Sequence, residues 1–233
     1  MKIFEITWGG FALIEFLLSH TGEHKTCLDV GVGEGIHSEI LAYAGLDVVG
    51  IDKYSDKATY KEDFIPFAKK HKNKFDVIFC SHVIEHQRNV GMFLDAIYDL
   101  LNDNGILIIT APNHSALTLI EGHMSSMLFP LFLQHMIHAG FDCKNGKYLS
   151  FHENSFIVSK ASNYNVKERL EDGYQWTKKH QERSPIPLTN TTFSEGYMLY
   201  NCKHILPKAG VRIPSIKYDM TIKMDRWNFQ CTI

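Results

Sequence analysis

The sequence has no excess of basic residues and no paired cysteine motif. The 24 Lys and Arg residues are balanced by 26 Asp and Glu residues, so the formal net charge is −2. Binding to a phosphate backbone relies on clustered Lys and Arg, so this balance disfavours a nucleic-acid partner. The five cysteines are an odd number and form no C-x-x-C pair. This pattern disfavours a disulfide framework and indicates a reducing, cytoplasmic environment.

Long hydrophobic runs are also missing. The run at 11–18 is interrupted by Glu15, and the run at 124–137 contains Pro130, Gln134 and His135. Neither is long enough to span a bilayer, and neither has the flanks of a signal peptide. We therefore expect no membrane segment. The 45% hydrophobic content is that of a globular chain with a full core.

Three glycines at alternate positions mark the most informative stretch, Thr26–Ile36, which reads T-C-L-D-V-G-V-G-E-G-I. The pattern predicts a buried strand over Cys27–Val30, a turn containing Gly31, Gly33 and Gly35, and a helix over 36–44. Glycine allows positive φ and lets a ligand approach the backbone. A strand, a glycine turn and a helix N-terminus together predict a nucleotide-type site.

The charges around this turn decide between two ligand classes. A dinucleotide fingerprint, G-x-G-x-x-G, would need glycine at position 36, where the chain has Ile36. Asp29 and Glu34 bracket the turn, and carboxylates disfavour an anionic pyrophosphate there. A ligand with a nucleoside and a positive charge fits better. The turn resembles motif I, D-x-G-x-G-x-G, of the class I S-adenosylmethionine-dependent methyltransferases.

Later segments extend the resemblance over residues 20–160. An apolar strand over Asp47–Ile51 ends at Asp52, which lies where an acidic residue can accept both ribose hydroxyls. Ser81–His86 follows the apolar run Phe75–Cys80 and is similar to the hxxhEH segment of small-molecule methyltransferases. The resemblance implies that S-adenosylmethionine is held by the following residues: Asp29, Gly31, Gly33 and Gly35 at the methionine end, Asp52 at the ribose, Lys53 next to it in the chain, Asp63 and Phe64 at the adenine, and the backbone of Ser81 and His82 beside the adenine or methyl group.

Two histidines are candidates for a general base. Methyl transfer to oxygen requires removal of a proton, and imidazole has a suitable pKa. His82 and His114 follow two predicted strands at the edge where ligands bind. An ordinary loop histidine is the alternative for His114, and a structural histidine that caps the turn is the alternative for the neighbouring His86. His82, Glu85 and His86 also match H-x-x-E-H, a zinc hydrolase pattern. Because the pattern directly follows a buried strand rather than lying in a long helix, we predict no metal site.

The order of apolar segments predicts an α/β fold. We expect a Rossmann-like, seven-stranded methyltransferase sheet with helices on both faces in residues 1–161. Residues 162–233 are expected to form a C-terminal α+β appendage that shapes the acceptor site or a homodimer contact. A helix predicted over Gly9–His20 either packs on the sheet or, with Phe4 and Trp8, covers the cofactor. The other predicted elements are a turn over 102–105, a helix over Ser126–Ala139, antiparallel strands over Tyr148–Phe151 and Ser155–Ser159, a helix over Val166–His180, and paired strands over Phe193–Tyr200 and Ile216–Met224.

The resemblance implies an S-adenosylmethionine-dependent enzyme that positions a small-molecule acceptor for direct displacement at the methyl group. The first prediction for the acceptor is a hydroxyl of a sugar or related metabolite. N-methylation of a small amine such as a phosphobase is the alternative. A non-catalytic S-adenosylmethionine-binding protein and a nicotinamide-dependent oxidoreductase are hypotheses from other classes.

Overall fold

The computed structural model describes residues 1–71, 74–171, 175–188, 203–205, 210–214 and 219–224. Its strands are β1 (Lys2–Ile6), β2 (Thr26–Val30), β3 (Asp47–Ile51), β4 (Phe75–Ser81), β5 (Leu101–Pro112), β6 (Phe141–Ser150), β7 (Glu153–Lys160), β8 (Lys203–His204), β9 (Gly210–Pro214) and β10 (Asp219–Met224). Its helices are α1 (Gly10–Ser19), α2 (Ile36–Tyr43), α3 (Phe64–Lys70), α4 (Val90–Leu100), α5 (Phe129–His138) and α6 (Lys178–Arg183), with 3-10 turns at Ile84–His86 and Val166–Leu170. In the described part of the chain, no helix has the length and apolarity needed to cross a membrane.

Seven strands form the main sheet in the order β3-β2-β4-β5-β7-β6-β8. The first four are parallel, and β7 runs antiparallel to both β5 and β6. Side chains of one strand enter cores on opposite faces: Leu28 and Val30 belong to one buried cluster and Cys27 to the other. Burial on both faces explains why these strands have apolar sequences. The predicted seven-stranded Rossmann-like sheet is confirmed.

One strand of the main sheet was not identified in the sequence. Between β3 and Asp63, the described residues form only an isolated parallel bridge between Ile51 and Tyr60. The sheet reaches seven strands through β8, which pairs in parallel with β6. The predicted turn at 102–105 is also wrong, because β5 includes these residues. Residues 102–105 form a bulge in β5, because Leu101 pairs with Phe75 of β4 and the next paired residue, Ile106, pairs with Val77.

The tail differs from the prediction at two places. A continuous helix over Val166–His180 is wrong, since the described residues form a 3-10 turn and the separate helix α6. Asn165 and Thr177 each cap the start of one of these elements, which explains why the charged stretch forms two elements. The predicted strand Phe193–Tyr200 lies outside the described residues, whereas Ile216–Met224 contains β10.

The two ends of the chain meet in a second sheet. Strand β10 pairs in parallel with β1 and antiparallel with β9. Strand β1, a short stretch that sequence analysis missed, buries Phe4, and β10 buries Met220 and Ile222 in the same cluster as α1. The predicted helix at Gly9–His20 thus packs on the sheet. The division of the chain at residue 161 stays a prediction, but the described tail strands are hydrogen-bonded into both sheets.

Candidate functional site

The carboxyl ends of β2, β3, β4 and β5 meet at one edge of the sheet. This is the edge where ligands bind in open α/β folds. The glycine turn follows β2, Asp52 follows β3, and the segment 81–86 begins at the end of β4. The parallel pairing therefore brings together most of the residues that the sequence singled out.

All three glycines of the turn have positive φ: 85° at Gly31, 53° at Gly33 and 80° at Gly35. Gly31 also lies against the segment that follows β4, because a Cβ there would come within 2.2 Å of Val83 Cγ2. A Cβ on Gly33 would meet nothing within 4 Å. Gly31 is thus needed for packing within the protein, while Gly33 faces open space that a ligand can use.

This difference predicts unequal effects of alanine at the two glycines. Gly31→Ala should lower the free energy of unfolding by about 3 kcal/mol, because backbone strain adds to a steric clash. Gly33→Ala, the matched control, should cost only about 1 kcal/mol from strain alone. Urea unfolding measures both values. Adding Val83→Ala should recover part of the loss in the Gly31 variant, and equal costs at the two glycines would contradict the packing interpretation.

Asp29 lies beneath the turn and is fully buried. Its Oδ2 accepts a hydrogen bond of 2.5 Å from Ser38 Oγ in α2. Burial raises the pKa of Asp29 from 3.8 to about 6, the Ser38 hydrogen bond partly opposes this, and the nearby Asp52 charge adds to it. A carboxyl group whose pKa is close to neutrality can ionise when a positively charged ligand group approaches.

The raised pKa of Asp29 predicts a pH-dependent stability. The folded state binds this proton more tightly than the unfolded chain, so stability falls as pH rises from 3.8 to about 6 and is constant above. The loss is on the order of 3 kcal/mol. Asp29→Asn should gain stability relative to the parent over this range, as measured by urea unfolding at several pH values. Asp56→Asn, at an exposed aspartate, should run parallel to the parent. A parallel curve for Asp29→Asn would refute the assignment.

Asp52 connects the end of β3 to the glycine turn. Its Oδ2 accepts from Gly33 N–H at 2.9 Å, and its Oδ1 accepts from Tyr54 N–H at 2.7 Å and Ser55 N–H at 3.0 Å. Burial alone would raise the pKa of Asp52, but these three hydrogen bonds outweigh it and lower the pKa. The carboxylate is therefore ionised at neutral pH and holds the turn in place.

Lys53, Asp63 and Phe64 lie beyond β3. Lys53 Nζ forms an ion pair with Asp63 Oδ2 at 3.1 Å. These two residues, both predicted to contact the cofactor, therefore lie next to each other. Asp63 is the N-cap position of α3, and its side chain makes no capping hydrogen bond. Phe64 is buried against Phe93, with ring centroids 5.0 Å apart. Their predicted roles at the adenine stay predictions.

His82 occupies a strained position at the end of β4. It is the one non-glycine residue with positive φ, at 56°, among the described residues, and strain of this kind often marks functional sites. Its ring lies between two buried carboxylates, 3.3 Å from Glu153 Oε2 and 3.5 Å from Glu85 Oε1. Burial lowers the pKa of His82, but the two carboxylates outweigh it and raise it to about 9.

An imidazole with this pKa carries its proton at neutral pH and is poorly suited to remove another. The role of His82 as a general base stays a prediction, and the protonated state of its imidazole does not favour that role. The sequence analysis missed Glu153, which also accepts from Gly9 N–H at 2.8 Å. The ring centroid of Trp8, a residue predicted to help cover the cofactor, lies 5.0 Å from that of His82. Glu153 is the first residue of β7 and is followed by the polar Asn154 and Ser155, so no local pattern marked it.

His114 lies in the loop after β5 and is paired with a histidine that sequence analysis did not identify. Its Nε2 lies 3.0 Å from His123 Nδ1, and its Nδ1 lies 3.1 Å from the Ser115 carbonyl oxygen. Both ring nitrogens are therefore engaged by neighbours. The base role of His114 stays a prediction.

The edge of the sheet fits a nucleoside ligand with a positively charged end. Ser81 Oγ is buried and has no hydrogen-bond partner in the described structure, so it is available to a ligand. Gly33 faces open space, Asp52 is ionised, and Asp29 is poised to ionise near neutrality. The ring of Trp8 lies at the same edge of the sheet and contributes apolar surface beside His82.

Curated proteins are similar in sequence to part of this chain. Ubiquinone biosynthesis O-methyltransferase of Azorhizobium caulinodans is 32% identical over 102 residues, 38% of this chain and 40% of that protein. The mitochondrial protein of the same description from Rattus norvegicus is 32% identical over 113 residues, 41% of this chain and 33% of that protein. The chain therefore spans less than half the length of these curated relatives.

A solved structure shows the same fold. A methyltransferase dependent on S-adenosylmethionine (SAM) from Archaeoglobus fulgidus superposes with a TM-score of 0.52, at 16% identity, over 65% of this chain and 93% of that one. The family model described as "Methyltransferase domain" matches residues 10–155. This match covers more than half of the chain and includes the glycine turn, Asp52 and the segment after β4. The chain belongs to the class I S-adenosylmethionine-dependent methyltransferases.

Proposed function

We propose that the chain binds S-adenosylmethionine at the edge formed by β2, β3 and β4 and catalyses transfer of its methyl group to a hydroxyl of a small molecule. Asp52 carries this proposal. It is ionised, it holds the Gly33 backbone, and it lies at the end of the strand adjacent to the glycine turn. That position suits a carboxylate that accepts hydrogen bonds from ribose hydroxyls.

The residues have separate tasks in this proposal. S-adenosylmethionine supplies an activated methyl group on a positively charged sulfur. Asp52 fixes the ribose, and Asp29 with the backbone of the turn holds the amino-acid end. Phe64 and Asp63 lie by the adenine. Trp8 and the strained His82 segment border the reaction edge and limit the entry of water. Most of the rate enhancement comes from holding the two reactants in line.

The curated relatives support an oxygen acceptor, because those proteins are named O-methyltransferases. A hydroxyl of a small molecule is therefore the favoured acceptor class, and a sugar hydroxyl is one specific form of it. The activity is proposed for the cytoplasm, in keeping with the free, buried thiols of Cys27, Cys80 and Cys143. A homodimer formed through the tail also stays a proposal.

The test begins with the cofactor. The purified protein is titrated calorimetrically with S-adenosylhomocysteine and, separately, with NAD. We expect micromolar binding of the former alone. Phenols, sugars and small amines are then screened with methyl-labelled S-adenosylmethionine, and methyl ether formation on a hydroxyl compound is the expected product. Binding of NAD alone would overturn the cofactor assignment, and exclusive methylation of amines would overturn the acceptor class.

A further inference from the structure

The short connection between α1 and β2 gathers three metal-ligating side chains. Residues 20–24 read H-T-G-E-H, and His20 is the C-cap residue of α1. Gly22 has a φ of 96°, which glycine adopts without strain, so the chain can reverse direction within this short connection. One ring nitrogen each of His20 and His24 and one carboxylate oxygen of Glu23 consequently lie within 4.8 Å of one another.

The histidine rings of this cluster have buried nitrogens without hydrogen-bond partners. Both ring nitrogens of His20 and the Nδ1 of His24 are shielded from solvent and lack a partner in the described structure. The His20 ring stacks on the Phe16 ring, with centroids 5.2 Å apart, and its centroid lies 5.8 Å from that of His24. Buried polar atoms are normally satisfied, because leaving them unpaired is unfavourable. Three unsatisfied nitrogens in one cluster therefore indicate a missing ligand.

Glu23 supplies a carboxylate that its neighbour holds in place. Its Oε2 accepts from Thr21 Oγ1–H at 2.6 Å and from Thr21 N–H at 3.1 Å. Its Oε1 lies 3.4 Å from His24 Nδ1 without forming a hydrogen bond. A carboxylate oxygen and an unprotonated ring nitrogen repel each other unless a proton or a cation lies between them. A ligating carboxylate that is itself hydrogen-bonded is typical of metal sites.

We propose that His20, Glu23 and His24 bind a divalent transition-metal ion that joins the end of α1 to the start of β2. Two imidazoles and one carboxylate are a ligand set for zinc and its neighbours in the first transition series. With metal–ligand bonds of about 2.1 Å, ligand atoms of a tetrahedral site lie roughly 3.4 Å apart, so small side-chain rotations close the site. Water completes the coordination.

The place of the cluster in the fold gives the ion a structural role. The chain that follows is fixed to β4, because Asp76 Oδ2 accepts from Lys25 N–H at 2.8 Å and from Thr26 N–H at 3.0 Å. The cluster thus lies at the amino end of β2, whereas the glycine turn follows the carboxyl end of that strand. The ion takes no part in methyl transfer, so the site is independent of the proposed function.

Binding of the ion is coupled to folding. The end of α1 and the Phe16 ring position His20, and the unfolded chain provides neither. A ligand that binds only the folded state raises the melting temperature as its concentration rises. We expect a rise of roughly 5–10 °C when free zinc is about 100 times its dissociation constant.

The test measures zinc binding to the full chain. Chelator-treated protein is titrated with zinc by calorimetry, and with cobalt(II) while visible absorption is followed. His20→Phe keeps an aromatic ring on Phe16 and removes both nitrogens, so it should stay folded, lose one bound zinc per chain and lose the matching rise in melting temperature. Glu23→Gln should bind that zinc at least about tenfold more weakly.

His123→Ala is the matched control for these variants. The other candidate group of metal ligands among the described residues consists of Glu85, His86 and His123. His123→Ala should therefore keep the zinc ion that His20→Phe loses.

The outcomes separate this site from the rest of the molecule. A parent that binds no zinc, or folded His20→Phe and Glu23→Gln proteins that keep the parent's zinc stoichiometry and affinity, would overturn it. S-adenosylhomocysteine binding is measured on the same samples and should change less than about twofold when zinc is removed, because the cluster and the glycine turn lie at opposite ends of β2. A larger change in folded protein would overturn the purely structural role of the ion.

Discussion

Asp52→Ala is expected to weaken S-adenosylhomocysteine binding at least about 100-fold. The variant loses the carboxylate that accepts from Gly33, Tyr54 and Ser55 N–H groups and the proposed acceptor for the ribose hydroxyls. Hydrogen bonds to a charged group contribute about 1.5–3 kcal/mol each, and a factor of ten corresponds to about 1.4 kcal/mol. Loss of two such interactions is therefore sufficient. Isothermal titration calorimetry gives the two dissociation constants.

The matched control is Asp56→Ala, in the same segment. Asp56 is exposed and pairs only with Lys61 in the described structure, so its removal should change the dissociation constant less than twofold. Asp52→Asn keeps the shape and one acceptor oxygen and should fall between the two. Thermal unfolding of all three variants separates loss of the ligand contact from loss of the fold. Unchanged affinity in a folded Asp52→Ala protein would remove the main support for the cofactor site.

Glu168→Ala is expected to lower the free energy of unfolding by about 3–5 kcal/mol, because it leaves a buried guanidinium without its charge partner. Arg183 is only 1% exposed, and its Nη2 donates to Glu168 Oε2 at 2.6 Å. Arg183 also donates to Asn163 Oδ1 at 3.0 Å and to the Ile137 carbonyl oxygen at 3.2 Å. The network holds the 3-10 turn and α6 against the end of α5. Urea unfolding followed by circular dichroism measures the loss.

Two further variants sharpen this measurement. Asp103→Ala removes the 97% exposed partner of Lys160 and should cost under about 1 kcal/mol. The double variant Glu168→Leu/Arg183→Met replaces the ion pair with apolar groups and should be much more stable than Glu168→Ala. Burial raises the pKa of Glu168, but the interactions with Arg183, the Asn165 backbone and Lys179 together outweigh it and lower the pKa below 4.5. The stabilisation is therefore present above pH 4.5 and is lost at lower pH. A small loss in Glu168→Ala at neutral pH would contradict the importance of this pair.

The sequence predicted the parallel strands and the glycine turn because both depend on local signals. Fully buried strands require unbroken apolar runs, and Asp47–Ile51 matches β3 at both ends. The turn requires residues that tolerate positive φ, and all three alternate glycines adopt it. Strand order in a parallel sheet then places Asp52 beside the turn.

Predictions failed where a local signal competed with tertiary pairing. The polar residues at 102–105 resemble a turn, yet β5 includes them because the neighbouring strand accommodates a bulge. The charged stretch 166–180 resembles one helix, yet its two capping residues start separate elements, and Arg183 and Glu168 hold these against α5. Strand β1 is too short to stand out, and its pairing with β10 spans almost the whole chain.

The sequence by itself determined the family, the fold class and the residues of the glycine turn with Asp52, since each is encoded in a contiguous run. Only the tertiary structure decided the charge of His82 and the neighbours of Glu85. Glu153 approaches His82 from a strand 71 residues later, and His123 approaches Glu85 across the loop after β5. No spacing within one segment encodes such contacts, because the packing of distant elements creates the buried surroundings that set the charge and ligand affinity of these groups.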